Sequence, residues 1–81
     1  MFTVYVLKSE VIQKGYVGMT DDLTRRLKEH NSGGNTYTVR HLPWVVIYTE
    51  EFETLEMARE RERYLKTAAG RRFLKRFFPS N

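Results

Sequence analysis

The stretch that most restricts how this chain can fold is residues 15–31, GYVGMTDDLTRRLKEHN, where a short β-prone segment passes through a capping turn into an amphipathic helix. Tyr16 and Val17 stand between Gly15 and Gly18. A glycine inside or beside a strand marks a place where something approaches the backbone closely, so Gly18 points to a site. Thr20, Asp21 and Asp22 carry oxygens that can accept the unpaired amide hydrogens of a first helical turn. Leu23 and Leu27 then recur at helical spacing, which predicts a helix over residues 22–31.

At ~100° per residue, Leu23 and Leu27 define the buried stripe of that helix, Arg26 and His30 flank it, and Arg25, Lys28 and Glu29 fall on the far side. The two adjacent arginines should therefore differ, Arg25 solvated and Arg26 held against the protein. Spacing alone favours an ordinary structural reading, in which Arg26 lays its methylenes along the core edge and His30 is a hydrogen-bonded boundary residue.

A chain of 81 residues without cysteine lies near the lower size limit for unaided folding, so one core must suffice and zinc–thiolate and disulfide chemistry are excluded. Five phenylalanines, five tyrosines and one tryptophan supply that core, each ring burying more apolar area than an aliphatic side chain. No apolar run approaches the ~18 residues that span a bilayer, and MFTVYVLKSE lacks the features of a signal peptide. The expectation is one domain over residues 1–81, in the cytoplasm, with no membrane partner. Fourteen Lys and Arg against ten Asp and Glu give a formal charge of +4, which suits a polyanionic partner, nucleic acid first. The excess gathers at Arg71, Arg72, Lys75 and Arg76, while acids collect over residues 50–62. Lys14, Arg40, His41, Arg71 and Arg72 are the candidate nucleic-acid contacts.

Along the chain, FTVYVL over residues 2–7 predicts a strand with Phe2, Val4 and Val6 on one face and Thr3, Tyr5 and Leu7 on the other. Residues 8–14 read as a hairpin loop, which pairs this strand with Tyr16 and Val17 and brings the two tyrosines near each other. Residues 32–43 are polar and irregular, a loop carrying Tyr37, Arg40 and His41. The unbroken apolar run of WVVIYTEEF, residues 44–52, predicts a central strand covered on both faces. Thr54 caps a helix expected over residues 55–67. Its stripe of Leu55, Ala58, Leu65 and Ala69 has Glu62 in the middle, and a core-directed carboxylate is costly unless paired, hydrogen-bonded or metal-bound. A salt bridge to a nearby arginine and a functional role weigh equally for Glu62. Met57, Tyr64 and Ala68 form a second apolar line that would seat the next helix. Gly70 is the expected break before an amphipathic helix over residues 71–78, stopped by Pro79. The sum is an α/β sandwich with a three-stranded antiparallel sheet and about three helices on its two sides.

VYVL at residues 4–7, GYVG at 15–18, DLTRRLKEHN at 22–31 and ARERERYLK at 58–66 together resemble the GIY-YIG nuclease family, in particular its short free-standing bacterial members. The resemblance covers nearly the whole chain in the expected order and implies the fold just derived. By position, Tyr5 matches the tyrosine closing the first motif, Tyr16 that opening the second, Arg26 the helix arginine, His30 the following histidine and Glu62 the metal-binding glutamate. TVY stands where the literal motif has GIY, the loop histidine of some members is matched only by Tyr37 or His41, and no residue clearly matches the late asparagine.

The resemblance implies a metal-dependent endonuclease acting on nucleic acid, DNA in the first instance, in repair or recombination. Glu62 would hold one Mg²⁺ or Mn²⁺, Arg26 would neutralise the phosphate, and Tyr5 or Tyr16 would orient or deprotonate the attacking water. Between the tyrosines the sequence does not choose, and His30 either assists or anchors. A phenol of pKa ~10 is a poor base at neutral pH unless its surroundings lower that value. The competing classes are a catalytically silent nucleic-acid-binding module and a protein-interaction domain using the Met57/Tyr64 line. Presence of all five side chains favours the nuclease.

Overall fold

β-Branched and aromatic residues fill the first five positions of FTVYVLKS, and this segment, β1 (Phe2–Ser9), is the middle strand of a three-stranded antiparallel sheet. The structure is a computed structural model that describes residues 1–33 and 38–78. Tyr37, one of the two loop candidates, lies outside the described residues. Strand β2 (Gly15–Thr20) returns along one edge of β1, with Tyr5 opposite Gly18 and Leu7 opposite Tyr16. Strand β3 (Trp44–Phe52) pairs antiparallel with the other edge.

The expected side-chain faces of β1 hold. Val4 and Val6 pack with Ala58, Leu65 and Leu74 on one side, while Tyr5 and Leu7 pack with Trp44, Leu23 and Leu27 on the other. The expectation that Trp44–Phe52 is central does not hold, because the strand order is β2-β1-β3 and β3 is an edge. Its unbroken apolar run has another cause. The ladder slips between Val6 and Leu7, so Val46 faces the Trp44 side while Ile47 and Tyr48 both pack on the opposite side, and the period of two is interrupted.

Helix α1 (Leu23–Asn31) covers the Tyr5 face. Its N-cap is Asp22, whose Oδ1 accepts the Arg25 amide at 3.1 Å. The polar loop that follows contains a 3₁₀ turn (Thr38–His41) in which Thr38 is fully buried, a core position inside a segment that reads as surface. Asn31 ties the loop's end to β3: its Oδ1 accepts the Trp44 amide at 2.7 Å and its Nδ2 donates to the Trp44 carbonyl at 3.1 Å.

Helix α2 (Leu55–Leu65) lies on the Val4/Val6 face and is capped by Thr54 as expected. It stops earlier than its pattern suggests, and Gly70 is not the break. Thr67 caps α3 (Ala68–Leu74), which already contains Gly70, and a 3₁₀ turn (Lys75–Phe77) follows. The Thr67 hydroxyl oxygen accepts the Gly70 amide at 3.2 Å. Gly70 serves packing: a Cβ there would run into the Tyr64 carbonyl and the Leu65 backbone, so only glycine lets α3 cross α2 this closely. Two further expectations are corrected. Leu55 is 39% exposed rather than part of the buried stripe. Met57 and Tyr64, 52% and 41% exposed, seat no helix among the described residues, because α3 turns back toward Leu65 and the sheet.

Candidate active site

The site is assembled at the β2 side of the sheet by a missing side chain. A Cβ on Gly18 would stand 2.6 Å from the Tyr5 Cζ, so the Tyr5 ring lies directly over Gly18 and its hydroxyl is carried outward toward β2. Tyr16, two residues before Gly18 and on the same face, brings its ring to 6.4 Å from that of Tyr5. Helix α1 supplies the other wall. His30 sets its imidazole edge-on to Tyr16 at 4.8 Å, and the His30 Nε2 and the Tyr5 hydroxyl share a hydrogen bond of 3.0 Å.

His30 is more deeply placed than helical spacing implied: it is fully buried, not a boundary residue. Burial first, and then the positive charge of Arg26, hold its pKa below the ordinary value, so the imidazole is neutral. Its Nδ1 shares a second hydrogen bond, of 2.9 Å, with the Thr38 hydroxyl, and the Trp44 indole N–H donates to the Thr38 carbonyl at 2.7 Å. Tyr5, His30, Thr38 and Trp44 thus form one buried chain. Tyr5 itself is 1% exposed, and burial pushes its phenol above the ordinary value. Arg26 opposes that shift, whereas Tyr16 and the carboxylate of Glu62 add to it.

Arg26 and Arg25 differ as expected. The Arg26 side chain is 30% exposed and Arg25 56%. The Arg26 guanidinium is held even more firmly charged than usual, by Glu29 foremost and then by Tyr5, with Tyr16 contributing. Its N–H donates to Glu29 Oε1 at 2.9 Å, while Arg25 donates to Oε2 of the same carboxylate at 3.1 Å. Glu29, its side chain 38% exposed, bridges both arginines, a role signalled in the sequence only by its spacing from them. Thr38, the other supporting residue the sequence reading missed, has no local signal at all.

Glu62 is not in the core. Its side chain is 25% exposed and accepts from the Lys66 ammonium at 3.0 Å, one helical turn on. Its partner is thus a lysine and not an arginine; the neighbouring Arg61 pairs with Glu50 at 2.8 Å. Among the described residues no group of three or more histidines and acids gathers to enclose a metal. The donor set nonetheless suits magnesium, which keeps most of its waters and binds through one or two carboxylates plus a substrate phosphate. Glu62 offers one accessible hard oxygen ligand, close enough to Tyr5 for its charge to be felt there.

The candidate nucleic-acid contacts are dispersed. Lys14, Arg40, Arg71 and Arg72 are exposed, at the β1–β2 hairpin, on the 3₁₀ turn after α1 and on α3. His41 is half-buried with its ring 6.4 Å from that of Trp44. Among the described residues no helix is long and apolar enough to cross a membrane.

The middle and edge strands of a three-stranded sheet thus present two tyrosines to an arginine and a histidine on the first helix of a small α/β fold. The GIY-YIG catalytic domain matches residues 1–75, and the chain belongs to the GIY-YIG family, a family of nucleases. It is similar to a UPF0213 protein of Clostridium perfringens, with 41% identity covering 78% of this chain and 68% of that one. It is similar also to the UPF0213 protein YazA of Bacillus subtilis, with 42% identity covering 63% of this chain and 52% of the other. The chain thus spans about half to two thirds of the length of these relatives. The solution structure of a UPF0213 protein from Bacillus halodurans shares the fold at a TM-score of 0.55, with 32% identity over 91% of this chain and 82% of that one.

Proposed function

We propose that this chain is a metal-dependent endonuclease that hydrolyses phosphodiester bonds in DNA, a cytoplasmic activity suited to repair or recombination. The observation that carries the reading is the meeting of Tyr5, Tyr16 and Arg26 around a neutral, fully hydrogen-bonded His30, within electrostatic reach of Glu62. Arg26 receives the scissile phosphate, its planar fork matching two phosphoryl oxygens and neutralising the charge that builds there. Tyr16 is the half-buried, accessible tyrosine of the pair, and its hydroxyl orients the attacking water. Tyr5 is too buried to meet that water and its raised pKa keeps it protonated, so it acts as a positioning residue for Tyr16 and Arg26. His30, with both nitrogens engaged, holds Tyr5 in place. Glu62 would hold Mg²⁺ or Mn²⁺, which when bound supplies Lewis-acid stabilisation of the phosphoryl oxygens.

The test is cleavage of end-labelled paired, branched, nicked and single-stranded DNA, and of matching RNAs, with Mg²⁺, with Mn²⁺ and with chelator. Metal-dependent cleavage of DNA is expected. Absence of cleavage on every substrate, by protein that binds DNA, would leave a silent binding module.

A further inference from the structure

On the Val4/Val6 face of the sheet, with Tyr16 of the edge strand at its margin, a cleft of about 660 Å³ opens between β2, the end of α2 and α3. That size lies within the ~300–1,000 Å³ of small-ligand sites. Its floor is apolar, formed by Val17, Leu65, Leu74 and Phe78, and the Phe78 ring rests on the backbone at Gly15, where a Cβ would stand 2.6 Å from its Cζ. Its rim is cationic. Lys66, Arg71 and Lys75 line it, and no acid does among the described residues. Gln13, from the exposed β1–β2 hairpin, adds an amide that can both donate and accept.

The cleft touches the candidate active site at two points. Tyr16 belongs to both, and Lys66 on the rim is the residue that donates to Glu62. An apolar floor that includes an aromatic ring, under a cationic rim, suits a nucleotide: a π-face for the ring system, an amide for hydrogen bonds at the base edge and positive charge for the phosphates on either side. A paired base within a duplex cannot reach such a floor, because its faces are covered by its neighbours.

We propose that this cleft receives an unpaired DNA base, with Arg71 and Lys75 on the flanking phosphates, so that the strand leads the adjacent phosphate past Tyr16 to Arg26. The proposal rests on the nuclease reading and names its substrate class: DNA carrying an extrahelical or single-stranded nucleotide next to the bond that is cut. Phe78 is the stacking surface, and Gln13 reads the edge of the base.

The experiment measures binding, with metal chelated, of the full chain to two duplexes that differ only by one bulged nucleotide, a fluorescent adenine analogue. The bulged duplex is expected to bind about tenfold or more tightly than the paired one, with a change in probe fluorescence on binding, in line with the contribution of one stacked base. Phe78→Ala is expected to reduce the preference below about threefold and to keep affinity for paired DNA. Arg71→Ala with Lys75→Ala, both at exposed positions, is expected to weaken the bulged duplex more than the paired one. Equal affinity of the wild-type chain for both duplexes overturns the proposal, and needs no variant to be informative. So does a bulge preference and fluorescence change that survive in folded Phe78→Ala. Cleavage assayed separately with metal keeps the two readings apart: bulge preference without cleavage upholds the cleft and removes the nuclease, whereas cleavage of paired DNA without preference does the reverse.

Discussion

The imidazole of His30, on the first helix, and the phenol of Tyr5, in the middle strand, share a buried 3.0 Å hydrogen bond that locks α1 to the sheet. A neutral imidazole offers one donor and one acceptor, and its two partners, the Tyr5 and Thr38 hydroxyls, can each serve as either, so the chain is satisfied in both tautomers.

This sets a pH dependence of stability whose sign is fixed by the direction of the shift. The His30 pKa is lowered in the fold by burial and by Arg26, so below the ordinary value of about 6.5 the unfolded chain binds the proton first. The contribution is complete above that value and is lost as pH falls through it toward the folded pKa. Urea midpoints of the wild type are expected to drop between about pH 7.5 and 5, and those of His30→Gln to drop less over the same range. At neutral pH the variant itself is expected to be less stable by about 1–3 kcal/mol, since one of two buried hydroxyls loses its partner. Parallel pH profiles of variant and wild type would assign the acid sensitivity elsewhere.

Arg26→Ala is expected to reduce cleavage by about 10²–10³, the cost of removing one preorganised donor to a developing oxyanion. Arg25→Ala should stay within a few-fold, because its ion pairs to Asp21, Asp22 and Glu29 are exposed and such pairs contribute ~0–1 kcal/mol. Both should keep their helical circular dichroism. Equal activity losses would show that the direction of Arg26, clamped by Glu29, is not what matters.

Gly18→Ala tests the geometry rather than the chemistry. The added methyl would meet the Tyr5 ring, which is packed against His30 and Tyr16 and has no open side to retreat to. A loss of about 1–3 kcal/mol, the usual cost of overpacking a filled core, is expected in denaturant midpoints at unchanged slope. A neutral Gly18→Ala would mean that Tyr5 leaves its place readily and is not held for a function.

These cases also show why some of the molecule was legible in sequence and some was not. The faces of β1, a cap among Thr20, Asp21 and Asp22, the contrast of Arg25 with Arg26 and the hint at Gly18 all follow from short-range signals within single elements. Failures came where distant segments decide. The edge position of β3 depends on which strand β1 chooses as its second partner, and the bulge that puts Ile47 and Tyr48 on one side imitates the pattern of a central strand. Thr38 reads as loop because its burial is created by His30 and Trp44, remote in sequence. At the α2–α3 junction two local signals compete: the cap at Thr67 prevails, and Gly70 serves close packing rather than a turn. Glu62 looked like a core residue because helical phase cannot tell the middle of a stripe from an edge where the sheet ends.

DNA binding is expected to be mainly electrostatic, with Lys14, Arg71, Arg72 and Arg40 exposed on the surface. The log–log slope of affinity against salt should be a few units, at roughly 0.9 per neutralised phosphate of duplex DNA. A flat response would argue against phosphate contacts as the source of affinity.

Glu62 separates a structural carboxylate from a functional one by its effect on stability. A buried ion pair deprived of one partner costs as much as ~3–5 kcal/mol, because the remaining charge is stranded. Here the partner, Lys66, has a side chain 55% exposed and sits one turn along the same helix, so it can turn to water. Glu62→Gln removes only an exposed i,i+4 pair, worth about 0.3–0.5 kcal/mol, and its amide oxygen can still accept from Lys66. The variant is therefore expected to melt within a few degrees of wild type, to bind Mn²⁺ much more weakly in the presence of uncleavable DNA, as followed by the ion's paramagnetic resonance, and to lose cleavage. Glu60→Gln, exposed on the same helix, is the control and should match wild type in all three measurements. A Glu62→Gln protein that cut DNA at the wild-type rate with unchanged metal dependence would remove the carboxylate from the mechanism. One that unfolded would restore the salt bridge to a structural role.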